Sequence, residues 1–133
     1  VITGRRYRCV RCGALFLVVP REVLPRRRYS AAAIGFALAL WGLVRATALT
    51  VRHRVSPAKA FGFDATTGWV TLRRWAKAVK ERRLFASVPA AGPSATLREV
   101  AAFAATALAA HADPTTRHLP LEHRAFLGAA HAA

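Results

Sequence analysis

The sequence predicts a mainly α chain that opens with a short β-hairpin. Three observations lead there. Alanine, leucine and valine recur at helical spacing along Ala31–Leu49 and Leu97–His111. The only two cysteines, Cys9 and Cys12, are separated by two residues and followed by Gly13, between basic-aromatic "RRYR" and apolar "LFLVV". Proline and glycine clusters punctuate what remains.

The chain has 133 residues, enough for one ordinary domain or two small ones. Its 54% hydrophobic content argues against wholesale disorder. Much of that content is alanine, which favours helix but buries little area per residue. The chain begins at Val1 and contains no methionine, so it reads as a processed product or a piece of a longer reading frame.

The net charge is +15, and it is unevenly placed. Residues 1–30 hold eight arginines against Glu22, and residues 31–83 hold ten Lys/Arg against Asp64 and Glu81. Residues 84–133 balance Arg98, Arg117 and Arg124 against Glu99, Asp113 and Glu122. The whole excess therefore lies in the first 83 residues. A polyanionic partner explains such an imbalance, because each neutralised phosphate releases counterions. A solvated basic surface, or one covered by an acidic partner chain, is the alternative.

Residues 1–25 form the first segment. Tyr7, the cysteine pair and Leu15–Val19 suggest two short strands around a knuckle, ended by Pro20 and Pro25. Residues 26–87 form the second. Arg26, Arg27 and Arg28 make a basic arm, and Ser30 is suited to cap a first helix running from Ala31 to about Leu49. Ile34, Leu38, Trp41 and Arg45 share one face of it, with Trp41 as core anchor. The apolar run Ser30–Val44 is shorter than the roughly 20 residues a span requires, and Arg28 and Arg45 bracket it. A buried helix is expected, with no membrane segment. The basic start is also unlike a signal peptide, which points to the cytoplasm.

Ser56-Pro57 reads as the start of a short second helix, closed by Phe61 with Gly62 just beyond. A third helix is expected from Thr66 or Thr67 through Phe85. On it Trp69, Leu72, Ala76 and Val79 make an apolar stripe that Arg83 also joins. Arg73, Arg74, Lys77 and Lys80 share the neighbouring arc. Three helices with a basic third one describe a helix-turn-helix domain. The turn pattern fits at Ala58 and Gly62 but fails at Gly68, unless the turn is longer and Trp69 takes that role.

Residues 88–133 form an alanine-rich tail. "VPAAGPS" reads as a linker, and Thr96 with Glu99 as a capping box. The helix it opens, with Leu97, Val100, Ala104 and Leu108 as its stripe, runs to about His111. "ADPTTRHLP" breaks the pattern before a last helix over Leu121–Ala132.

The motif C-x2-C-G turns the chain so that two thiolates face one metal ion. Zinc bound by Cys9 and Cys12 is the leading expectation, beside a redox pair or two structural thiols. A tetrahedral zinc needs four ligands, and this chain shows two. His118 and His123 have H-x4-H spacing, but they lie about a hundred residues after Cys12, against about 12–15 in a finger. The expectation is that a first cysteine pair lies upstream of Val1. The arm Arg26–Arg28 could enter a minor groove, or make loose phosphate contacts as a charged linker.

"GRRYRCVRCGALFLVVPREVLPRRRYS" and "GWVTLRRWAKAVKERRLF" together resemble a group of bacterial zinc-ribbon plus helix-turn-helix proteins related to insertion-element transposase N-terminal regions. The likeness covers about Arg5 to Phe85. It implies a truncated zinc ribbon, then a three-helix DNA-binding domain with "TLRRW" on the reading helix. This chain departs from the group by lacking the first cysteine pair and any Asp/Asp/Glu catalytic core.

The expected function is therefore binding of double-stranded DNA, transposase-associated or regulatory, without enzymatic activity. Six scattered carboxylates offer no general acid–base pair, and no glycine loop is built to cradle phosphates. The tail would pair with a second copy or a partner protein. The rival is a basic protein–protein adaptor of a larger nucleoprotein complex.

Overall fold

The computed structural model describes residues 5–18, 29–56 and 69–132. Strands β1 (Arg5–Arg8) and β2 (Leu15–Val18) pair antiparallel, with Tyr7 opposite Phe16 and Arg8 opposite Leu15. The helices are α1 (Ala31–Gly42), α2 (Ala48–Val55), α3 (Val70–Lys80), α4 (Leu97–Ala110) and α5 (Leu121–Ala132). A 3-10 turn, Pro114–His118, precedes α5. The chain is mainly helical with a small N-terminal hairpin, as its patterning predicts.

Ser30 caps α1 by accepting the Ala33 N–H at 3.2 Å. The helix is apolar on nearly every side, and only Ala33 and Phe36 fall short of full burial. Such a helix belongs inside a core. Among the described residues no helix is long and apolar enough to cross a membrane.

α1 stops at Gly42, short of the expected Leu49. Arg45 takes a left-handed φ of 60°, and the Ala46 N–H returns to the Leu40 carbonyl at 2.9 Å. Thr47 then caps α2 by accepting the Thr50 N–H. Thr47 is a better cap than helix interior, and that preference breaks the run in two. Ser56 closes α2, its N–H bonding the Arg52 carbonyl. The expected helix from Ser56-Pro57 to Phe61, Gly62, and the Thr66–Thr67 start lie in 57–68, outside the described residues except for Ser56.

α3 begins at Val70 because Trp69 is extended, with φ −112° and ψ 92°. The helix ends at Lys80 and does not continue to Phe85. Arg82 is left-handed at φ 57°, the Arg83 N–H reaches the Ala78 carbonyl and the Arg82 N–H reaches that of Val79. This is a Schellman closure with arginine where glycine is usual. Leu84 and Phe85, expected on the helix, fold back into the core instead.

α1 packs against both α4 and α5, which also pack on each other; α3 leans on α4 and α1, and α2 on α1. The helix axes approach closely because the contact residues are small. A Cβ on Gly35 would lie 2.6 Å from that of Ala129, one on Gly42 would strike the Ala102 backbone, and one on Gly128 the Leu108 carbonyl. One core runs from Ile34 and Leu38 through Leu72 to Leu108 and Ala129. The sequence boundary at residue 87 therefore falls inside continuous packing, and the alanine-rich tail supplies two of the helices around α1.

The Thr96–Glu99 capping box forms as expected: Glu99 accepts the Thr96 N–H at 2.7 Å, and Thr96 accepts the Glu99 N–H. The Thr96 N–H, first, and the Thr96 hydroxyl, which donates to the same carboxyl at 2.7 Å, hold Glu99 below its ordinary range. Thr115 does the same for Asp113 at the 3-10 turn, its hydroxyl foremost.

Three outcomes test this packing. Gly128→Ala should lower stability by about 3 kcal/mol in urea unfolding, while Gly92→Ala, which meets nothing within 4 Å, should be neutral. Arg82→Gly should raise stability by up to about 1 kcal/mol by relieving the left-handed backbone. Both depressed carboxyls contribute stability above their unfolded values, near 4, and lose it as pH falls through the lower folded values. Unfolding midpoints should thus drop on acidification below about pH 4.5, and Thr96→Ala with Asp113→Asn should flatten that drop.

Candidate nucleic-acid interface and cysteine knuckle

The α3 side chains divide cleanly. Leu72, Trp75, Ala76, Ala78 and Val79 are buried. Trp75, unplaced by the sequence pattern, is the deepest aromatic of the face and meets Tyr29 and Trp69 edge to face at 5.1 and 5.0 Å. Such pairs add orientation as well as buried area. They fix which way α3 turns its other face.

That other face carries Arg73, Arg74 and Lys77, all exposed. Among the described residues neither Arg73 nor Arg74 has a hydrogen bond or an ion pair. Lys77 lies 3.8 Å from Glu81, with both side chains substantially in solvent. That pair is weak. Glu81 is engaged more closely by Arg83, whose hydrogen bond is the main cause of its depressed carboxyl pKa.

Lys80 is differently used. It is half-buried, and its Nζ donates to the carbonyls of Pro93 at 3.0 Å and Ala95 at 2.8 Å. It ties the end of α3 to the turn before α4. The structure thus brings Arg73, Arg74 and Lys77 together and places Lys80 at their edge as a strut. Arg26, Arg27 and Arg28 lie outside the described residues.

A second cationic turn was not singled out in the sequence. Arg52, His53 and Arg54 form the last turn of α2, where cations complement the helix dipole. Thr47, an N-cap three residues before Thr50, was the available signal. Arg54 also borders a cavity of about 330 Å³ between α1, α2 and α5, walled by Phe36, Val55 and Phe126.

Cys9 and Cys12 stand where the hairpin turns. The Cys9 N–H bonds the Ala14 carbonyl at 2.8 Å, the Gly13 N–H bonds the Cys9 carbonyl at 2.9 Å, and Gly13 sits at φ 74°. Both thiols are free, Cys9 half-buried and Cys12 exposed. The neighbouring backbone N–H groups of Cys12, first, and of Arg11 pull the Cys9 thiol below its ordinary value. Two cysteines two residues apart at a tight turn suit a metal ion. The pair fits zinc at two of four positions, where the ion would act as a structural cross-link.

All five histidines of the chain lie among the described residues, and there no three of His, Cys, Asp and Glu come together. His118 bonds the Thr115 carbonyl, and His123 lies against Phe36 and 4.0 Å from Glu122. The H-x4-H pair is thus exposed, His118 on the 3-10 turn and His123 on α5, with no cysteine grouped with it.

Comparison with known proteins finds no matching family model, curated protein or solved structure.

Proposed function

We propose that the chain binds double-stranded DNA through the solvent face of α3, with Arg73, Arg74 and Lys77 on phosphates or base edges and Arg26–Arg28 adding backbone contacts. The observation that carries this reading is the exposed cationic row, with Arg73 and Arg74 unpaired and Lys77 only weakly paired, on a helix whose opposite face is locked by Trp75. A rigid helix presents its cations at fixed spacing, which suits a groove. The charge excess of the first 83 residues supports the same partner. In this reading α2 and α3 belong to a helix-turn-helix unit of a transposase-associated or regulatory protein, and the hairpin adds Arg5, Arg6, Arg8 and Arg11 as further basic surface.

Fluorescence anisotropy with a labelled duplex tests it. Affinity should fall steeply with added salt, with a log–log slope reflecting several phosphates. Replacing Arg73, Arg74 and Lys77 together by alanine should weaken binding at least about tenfold and flatten the slope by up to about three. Arg117→Ala, on the neutral 3-10 turn, should change neither. Absence of binding at low salt, or equal losses from both variants, overturns the proposal.

A further inference from the structure

The cavity between α1, α2 and α5 takes no residue from the basic face of α3 or from the cysteine knuckle. Its volume of about 330 Å³ is in the range of small-molecule sites, which are apolar hollows with a few placed polar groups. Ala33 and Phe36 of α1, Val55 of α2 and Phe126 of α5 form its walls. The Phe36 and Phe126 rings stand perpendicular with centroids 6.3 Å apart, which makes an aromatic corner. Phe126 is 43% exposed, so part of that corner is left for a ligand to cover.

Arg54 and His123 complete the lining, and both are exposed. Among the described residues Arg54 has no hydrogen bond or ion pair. The His123 ring lies 5.8 Å from that of Phe36 and continues the aromatic wall. Among the described residues no carboxylate lines the cavity; Glu122, 4.0 Å from His123 Nδ1, stands outside it. Aromatic walls with a cation on the solvent side call for a flat hydrocarbon body and one anionic head. A guanidinium meets a carboxylate with two parallel N–H bonds, and an imidazole N–H can add another. A phosphate would bring more acceptors than one arginine and one histidine satisfy, beside walls that offer no donor. With Arg54 in solvent, the head keeps part of its hydration while the ring is buried, which avoids the cost of a fully buried charge.

We infer that this cavity binds a small aromatic monocarboxylate, its ring against Phe36 and Phe126 and its carboxylate on the Arg54 guanidinium. Binding is noncovalent and reversible. Ring burial supplies most of the affinity, and the guanidinium supplies the preference for an anion. A ligand there touches three helices at once, so it joins α2 to α1 and α5 and stabilises the folded state by mass action. The inference is independent of the DNA reading, since α3 contributes nothing to the cavity.

The test titrates the full chain with naphthalene-2-carboxylate in a calorimeter. One molecule should bind per chain, saturably, and the melting midpoint should rise with its concentration. The neutral isostere naphthalene-2-carboxamide should bind about tenfold more weakly. Arg54→Gln should cost the carboxylate about tenfold and the carboxamide little, and the variant should melt like the parent because Arg54 is exposed. Phe126→Ala should weaken both probes alike, by up to about tenfold. Arg117→Ala, on the 3-10 turn, should change neither, and inorganic phosphate should not displace the carboxylate. No saturable binding, equal affinity for acid and amide, insensitivity to Arg54→Gln, or displacement by phosphate would each overturn the inference. The variant lacking Arg73, Arg74 and Lys77 should bind naphthalene-2-carboxylate like the parent, so this reading and the DNA reading fail separately.

Discussion

Gly35, Gly42 and Gly128 lie where helix backbones come nearly into contact, and the rest of the bundle is arranged around that approach. Gly35 and Gly128 sit inside helices, where each costs about 1 kcal/mol relative to alanine, and Gly42 is the last residue of α1. What offsets the cost is proximity. With no Cβ in the way, α1 settles on the backbone of α4 at Ala101–Ala102 and on Ala129 of α5, while α5 meets α4 at Leu108. Alanine buries little area by itself, but at short axial separation its methyl and the neighbouring backbone atoms make many dispersion contacts. Ile34, Leu38, Leu40 and Leu108 fill the space that remains, with essentially no exposure. An alanine-rich chain thus gains a dense core without large side chains.

This packing gives the neutral and basic parts of the chain different work. α4 and α5 carry little charge and wrap α1, so they set the frame. α3 is added to that frame by Leu72, Trp75 and Val79, by aromatic contacts with Tyr29, and by the Lys80 strut to the turn before α4. Arg98 adds a cation over the Trp41 ring at 5.4 Å, joining α4 to the α1 anchor. Cations whose hydrogen bonds or ring contacts are internal, such as Lys80 and Arg98, face the frame. Those without such partners, Arg73 and Arg74, face out.

The legibility of these features in the sequence followed how local their causes are. The Thr96–Glu99 box, the Ser30 cap, the Cys-x2-Cys turn and the limits of α5 depend on residues within one or two turns, and each could be read directly. The end of α1 could not, because Arg45 adopts a left-handed conformation that its residue type does not announce. The end of α3 at Arg82 failed for the same reason. Trp75 was missed because its burial comes from Tyr29 and Trp69, which approach from two different segments. Lys80 looked like one more cation on the arc, since its carbonyl partners lie thirteen and fifteen residues away. The tail read as separate because a proline-rich stretch marks a linker in sequence whether or not the chain folds back across it.

Charge separation has an energetic side as well as a geometric one. A net charge of +15 on 133 residues works against compaction through self-repulsion. Among the described residues the fold limits that repulsion by placing most basic side chains on the exposed hairpin and on α2 and α3, and by leaving the core free of buried charged residues. The repulsion that remains is the part a polyanion would relieve. Binding to the folded state alone also stabilises that state by mass action. The surface that costs this protein stability in isolation is therefore the one whose occupancy would return it, which a neutral bundle of the same packing would not need.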